Sequence, residues 1–459
     1  MRRAAGVVAL SACLTLAWVQ AQDWRGRALA AFDDVWQTIN DTFYDPTFAG
    51  VDWAAARREL RPRAEAAASP EAVRAVIREM LGRLGRSHFG LLSTESSADT
   101  LPGSAMVPID IRILDAHVVV TRVHDPALLE RPGLRPGQVV ISIDGRTADA
   151  WRPQDPGRDE RGRNFEQWRA AFRALHGGDG STAALRVRDP QGREHDLSVR
   201  RAMAPGETVQ LGNLPPMQVL VESRAEKTPG GRRVGVIAFN IWMTAINDPV
   251  AAAVDQFRNA DGLVFDLRGN PGGLALMVGG ISGHVIEESL ELGTMQTRES
   301  KLVFRVNPRL VTNDGRRVAP FAGPVAILVD EQTASASETF AGALQSLGRA
   351  RIFGRPTMGQ VLPAMTRKLP NDDILMYAMG DFVTSTGRRL EGVGVIPDET
   401  VPLTIAGLAA GRDEALEAVL RWVDRRPARA GLAFYPVFWL SSSDLQETHF
   451  PPRVGRVRP

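Results

Sequence analysis

The sequence predicts an α/β layered protein with a helical N-terminal segment and a β-rich insert, on three observations. Between residues 214 and 425, the apolar runs at 234–239, 263–267 and 325–329 have the character of strands buried on both faces of a sheet. Helical stretches follow the second and third of these runs. Residues 24–95 read as helical, and from about 101 to 204 short strand-like runs alternate with Pro and Gly. The resulting organisation is a leader over 1–21, a helical segment over 22–100, the insert over 101–204, the layered core over 214–425 and a tail over 426–459.

The N-terminus reads as an export signal: Arg2 and Arg3, then an apolar stretch from Ala4 to Val19, then Val19-Gln20-Ala21 as a small-residue cleavage site. The apolar stretch is shorter than the ~20 residues of a spanning helix, and no later run is long enough to cross a membrane. Leu10-Ser11-Ala12-Cys13 offers lipoprotein anchoring through Cys13 as the minority alternative. Cys13 is the only cysteine, so cleavage after Ala21 leaves a chain without disulfides, a thiol nucleophile or Cys-ligated metal. Formal net charge is +2, and Arg2 and Arg3 account for the whole excess. No segment concentrates Lys and Arg without acids among them, which argues against nucleic acid as a partner.

Within the helical segment, Leu29, Phe32, Val35, Trp36 and Ile39 recur at helical spacing, as do Ala72, Val73, Val76, Ile77, Met80 and Leu81. Ser69-Pro70-Glu71 is a start signal for the second run, with Ser as N-cap and Pro at the first helical position. That helix is expected to end near Gly82–Gly85, with Ser87-His88 just beyond. In the insert, 118–120 and 139–141 read as strands. The segment Gly133-Leu134-Arg135-Pro136-Gly137-Gln138-Val139-Val140-Ile141-Ser142-Ile143-Asp144-Gly145 resembles the core signature of a PDZ domain. Pro108 and Asp110 replace the Gly-rich loop that would capture a carboxylate there. Residues 414–423 form a final amphipathic helix, and the Arg- and Pro-rich tail beyond Asp424 carries little helical pattern.

Two segments carry chemistry. Val325 to Leu344 runs from strand through the small-residue turn Thr333-Ala334-Ser335-Ala336-Ser337 into a helix. A serine there sits where free N–H groups and the helix dipole favour developing negative charge, although a serine before a helix also serves as a plain N-cap. Asp266-Leu267-Arg268-Gly269-Asn270-Pro271-Gly272-Gly273 follows another strand. Its glycines suit an oxyanion hole and equally suit an ordinary connection between strand and helix. Metal chemistry finds no support, with no His-Glu-x-x-His pattern and scattered histidines; a phosphate-cradling loop is also missing, and no cofactor is called for.

Together these segments resemble the tail-specific (C-terminal processing) serine peptidase family and its tricorn-like relatives. The resemblance extends to Phe43-Tyr44-Asp45-Pro46, Val51-Asp52-Trp53, the PDZ-like insert and Gly392-Val393-Gly394-Val395-Ile396-Pro397-Asp398. It implies a ClpP/crotonase-like core with Ser335 as nucleophile, acting on peptide or unfolded-protein substrates. In the processing branch a lysine follows the nucleophile in a Gly-Lys-Gly context and acts as base. Here Gly354-Arg355-Pro356-Thr357-Met358-Gly359-Gln360-Val361 puts Gln360 at that place, and the nearest downstream lysine, Lys368, is eight residues too far. Gln has no titratable proton. Among the histidines His88, His117, His124, His176, His195, His284 and His449, only His88 stands in the Ser-His context of tricorn-type relatives, and Glu391 stands in their Glu-x-x-Gly-Val-x-Pro-Asp context. The resemblance thus implies that Ser335 attacks, His88 takes its proton, Ser87 and Glu391 orient the base, and amides of Gly272, Gly273 and Ala336 form the oxyanion hole. The competing reading is a non-catalytic peptide-binding protein of the same fold. A third, a crotonase-type acyl-CoA enzyme, fits poorly with export.

Overall fold

A computed structural model describes residues 24–93, 105–130, 133–153, 159–212, 214 and 216–426. The leader at 1–21, His449 and the tail from 427 lie outside the described residues. At the centre, Arg233–Phe239, Gly262–Asp266, Val325–Val329, Ala350–Gly354 and Glu399–Thr400 run parallel in that order. Val221–Lys227 adds antiparallel at one edge. Every residue of Val325–Val329 is buried, because alternate side chains enter two different apolar layers.

Ile237, Phe265 and Ile327 face one layer, packed on the helices Asn247–Gln256, Met277–Ser282 and Ala336–Ser346 through Val250, Ile281, Phe340 and Leu344. Val236, Val264, Ala326 and Leu328 face the other, covered by Leu416, Val419, Trp422 and Val423 of the helix Glu414–Asp424. Each large side chain so buried contributes roughly 1.5–3 kcal/mol. Because these strands are parallel, their C-terminal ends lie along one edge, and the turns after residues 266, 329 and 354 converge there. The helix Asn247–Gln256, which the sequence reading passed over, supplies the crossover between the first two parallel strands.

The β-rich unit is a sheet in the order Ile109–Leu114, His117–Val123, Val139–Ile143, Thr182–Arg188, Glu194–Arg200. It encloses its own apolar core against the helix Glu160–Leu175. Asp144 and Gly145 both take positive φ (49° and 77°) at the turn into Arg146–Thr147, a geometry that favours Asp-Gly there.

The N-terminal segment packs a helix over 24–42 with Trp53–Glu65 and Pro70–Gly82 around Phe32, Phe43, Trp53 and Ile77. Asp52 and Ser69 cap the latter two helices by accepting from Ala55 N and Ala72 N. The layer shares its core with Leu369 and Leu375 of the hairpin Ala364–Lys368/Ile374–Ala378. It is also pinned there by Arg74, which donates to both carboxylate oxygens of buried Asp373 at 2.8 and 3.1 Å. The helical expectation for 24–95 fails at its end. The helix Pro70–Gly82 stops at the glycines expected to end it, and beyond them Gly90–Leu92 pairs antiparallel with Ile374–Met376.

Candidate active site

Ser335 ends the turn that follows Val325–Val329 and is the first residue before the helix Ala336–Ser346. Its backbone takes φ 54° and ψ −119°, a conformation that L-residues hold only at a cost of about 1–3 kcal/mol. The surroundings impose it. Ala334 N donates to Asn270 O at 3.1 Å, and Ser335 N donates to Gln360 O at 2.8 Å and to Glu338 Oε2 at 3.1 Å. Ser337, the other serine of the turn, is fully buried, and its hydroxyl accepts from Trp242 Nε1 at 2.8 Å. Ser335 alone of the two is half-exposed.

The preceding turn residues are locked just as firmly. Asp330 accepts from Gly269 N at 2.9 Å and Gln332 N at 3.1 Å, and pairs with Arg112 of the β-rich unit at 2.8 Å. The Arg112 guanidinium holds this buried carboxyl well below the usual range, against the cost of desolvation. The two candidate turns also touch: a Cβ on Gly272 (φ 98°) would lie 2.6 Å from Ser335 Cβ and 2.8 Å from Ala334 O. Close approach of the turns therefore requires glycine at 272.

The structure brings Ser87, His88 and Glu391 together although 304 residues separate the first from the last. Glu391 accepts from Ser87 N through one oxygen and from Ser87 Oγ through the other, each at 2.9 Å. Ser87 Oγ lies 2.8 Å from His88 Nδ1. The serine hydroxyl has a single hydrogen, and that hydrogen goes to the carboxylate. Ser87 Oγ must then accept from Nδ1–H, which leaves the lone pair on His88 Nε2. Burial lowers the His88 pKa, with Glu391 opposing, so the imidazole is neutral at pH 7. His88 also has positive φ (60°), which is uncommon for a residue other than Gly. No hydrogen bond joins His88 to Ser335 among those of the described residues.

The two halves meet through one peptide unit. Gln360 O accepts from Ser335 N, and the N–H on the other side of that peptide, Val361 N, donates to Glu391 Oε2 at 3.0 Å. Gln360 thus serves the site through its backbone.

The expectation for Gly272 needs correcting: its N–H already donates to Asn270 Oδ1 at 2.9 Å, so it is not a free oxyanion donor. Among the described residues, no such hydrogen bond engages the N–H of Gly273 or of Ala336, and Gly273 is exposed. The sequence reading gave no role to Asn270, which ties the turn to Phe239 O at 2.7 Å, or to the fully buried Glu338. The Ser335-x-x-Glu338 spacing is a capping-box signal that points to the latter. Elsewhere, His124 pairs with Asp110 at 3.0 Å, His195 with Asp189 at 3.1 Å, and His176 lies 2.8 Å from Phe172 O, all in the β-rich unit; His117 sits there on Asp115 O. His284 is buried in the core. Among the described residues no three His, Cys, Asp or Glu side chains gather as a metal site. No described helix is long and apolar enough to cross a membrane.

Residues 233–401 match the family model of peptidase family S41, and residues 27–82 match that of the tricorn protease C1 domain. The chain is 26% identical over 399 residues to the carboxyl-terminal-processing protease of Picosynechococcus sp., covering 83% of this chain and 87% of that protein. It is 26% identical over 461 residues to the putative tricorn protease homolog 2 of Streptomyces coelicolor, covering 94% of this chain and 35% of the relative. Among solved structures, the photosystem II D1 C-terminal processing protease superposes with a TM-score of 0.54 at 20% identity, over 84% of this chain and 98% of that one. Mature CPAF superposes with a TM-score of 0.56 at 14% identity, over 87% and 96% of the two chains.

Proposed function

We propose, from the premise that this chain is a serine peptidase of the tail-specific superfamily, that it is an exported enzyme cleaving peptides or unfolded proteins through an acyl-enzyme on Ser335 with His88 as general base. The observation that carries this reading is the Glu391–Ser87–His88 chain of hydrogen bonds, which leaves Nε2 as the acceptor nitrogen of a neutral imidazole. In the first half-reaction Nε2 takes the Ser335 hydroxyl proton as Oγ bonds to the substrate carbonyl carbon. The N–H groups of Gly273 and Ala336 receive the resulting oxyanion. Collapse breaks the C–N bond, and the imidazolium returns its proton to the leaving amine. Water then attacks the acyl-serine, giving its proton to Nε2, and the acid product and Ser335 Oγ–H are restored.

Ser87 and Glu391 fix the tautomer and the ring orientation, and the carboxylate stabilises the imidazolium that forms. Gln360, unable to accept a proton usefully, leaves the Ser-Lys alternative without a base. In this reading residues 101–204 are a PDZ-like module, with 1–21 directing export and removed. Digesting a peptide library with wild type, Ser335→Ala and His88→Ala, and mapping products by mass spectrometry, tests the proposal. Cleavage by wild type and its loss in both variants is expected. No cleavage by any of the three would favour a peptide-binding protein with a disabled site.

A further inference from the structure

We infer that Glu338 is a positioning residue of this site, its carboxylate holding the Gln360–Val361 peptide in register between the nucleophile and Glu391. The inference rests on the roles proposed above for Ser335 and His88. A glutamate three residues past an N-cap needs one partner, the cap's N–H, and normally keeps the rest of its carboxylate in water. Glu338 is fully buried and has four partners. Oε2 accepts from Ser335 N at 3.1 Å and from Gln360 N at 2.9 Å, while Oε1 accepts from Gly359 N at 2.6 Å and from Thr357 Oγ1. Three of the four lie on the 357–360 turn, not on the helix that Glu338 belongs to.

That turn delivers the carbonyl of Gln360 to Ser335 N and the N–H of Val361 to Glu391. A displacement of this one peptide would disturb both the Ser335 and the Glu391 contacts at once. Glu338 therefore acts at a distance from the reacting atoms, through the backbone that both halves share.

Protonation should loosen the arrangement. Three of the partners are backbone N–H groups, which cannot accept a hydrogen, and the fourth, Thr357 Oγ1, which also accepts from Val395 N at 2.7 Å, would have to turn its own hydrogen away from the carboxyl to accept one. Burial pushes the Glu338 pKa up to about 7 in spite of these donors. None of its direct partners is charged. The charged and titratable groups on the elements packed around it are Arg161, bonded to Thr357 O, Glu391 on Val361 N, His88 beyond Ser87, and the Arg355–Glu331 pair.

The test uses the full chain and measures the rate of fluorophosphonate labelling at Ser335, with kcat and KM for a peptide substrate, between about pH 5 and 9. Glu338→Gln is expected to lower kcat and the labelling rate about tenfold or more with KM within about twofold. Its acid limb, centred near 7 in wild type, should move below 6.5, where His88 sets it. Thr357→Val, a milder change, removes a donor to the ionised carboxylate and should shift the limb upward. It would cost roughly threefold at about pH 6 and little at pH 9, and Thr357→Ser should restore the wild-type profile. Should Glu338→Gln fail to fold, the Thr357 pair reads the same group. A labelled wild type whose profiles superimpose on those of the variants overturns this inference alone. A wild type not labelled at Ser335 overturns the peptidase reading and this inference with it.

Discussion

The Ser335 turn and the Ser87-His88 segment are built by opposite means. Ser335 follows a strand with every side chain buried and precedes a helix buried from Ala336 to Leu344. Its strained backbone is held by bonds from Asn270, Glu338 and Gln360, all part of the same layered core. Ser87 and His88 are half-buried, follow a helix of a separate apolar cluster, and depend on Glu391 and on the three-residue strand Gly90–Leu92 for their place. A site divided this way has a rigid half and a docked half. Catalysis should then fail through undocking of the helical layer long before the core unfolds.

Breaking the dock is the most severe test of that contrast. Asp373→Ala removes the two buried carboxylate acceptors of Arg74, whose guanidinium keeps Glu71 at 3.5 Å, and loss of such charge-assisted hydrogen bonds costs about 1.5–3 kcal/mol each. Hydrogen exchange should accelerate in residues 70–92 and stay slow in 325–344, with peptide hydrolysis falling in step with the former. Equal acceleration in both would mean that the two halves form one cooperative unit.

The core half carries a titratable weakness of its own in buried His284. Burial and the charges of Arg309 and Arg258 lower the His284 pKa to about 4, Asp255 opposing. The unfolded chain binds this proton below its ordinary value of about 6.5, whereas the folded chain does not until about 4. The stabilisation from neutral His284 is therefore complete above 6.5 and is lost as pH falls from there towards 4, on the order of 3 kcal/mol. Melting temperatures measured across this window should fall more steeply for wild type than for His284→Leu.

The smallest effect concerns the contact of the two turns. A methyl at 272 would meet Ser335 Cβ at 2.6 Å and must also accept φ 98°. Gly272→Ala should cost about 1–3 kcal/mol and roughly tenfold in kcat, with KM little changed. Wild-type kinetics in that variant would mean that the turns yield without moving the nucleophile.

The same division explains what the sequence made legible. Strand, small-residue turn and helix follow one another locally around Ser335, and each has its own signal: a continuous apolar run, Ser and Ala at the junction, and helical spacing of Phe340 and Leu344. The Ser69 cap was readable for the same reason. Gly90–Leu92 was not, since its strand character comes from a partner more than 280 residues away, and three residues carry no period of their own. The helix Asn247–Gln256 was hidden by its Ala-rich, weakly amphipathic face and by the Pro at 249. At the site, residue types were visible, but which N–H groups remained free was not. Only the fold shows Gly272 N spent on Asn270 and Glu338 turned inward across the 357–360 turn.

In the mechanism proposed above, His88 activates Ser335. The most direct measurement is the rate of fluorophosphonate labelling at Ser335 in wild type and in His88→Ala, each confirmed folded by its thermal transition. Labelling of wild type at Ser335 and a fall of about a hundredfold or more in the variant are expected. Labelling of His88→Ala at the wild-type rate would contradict that mechanism.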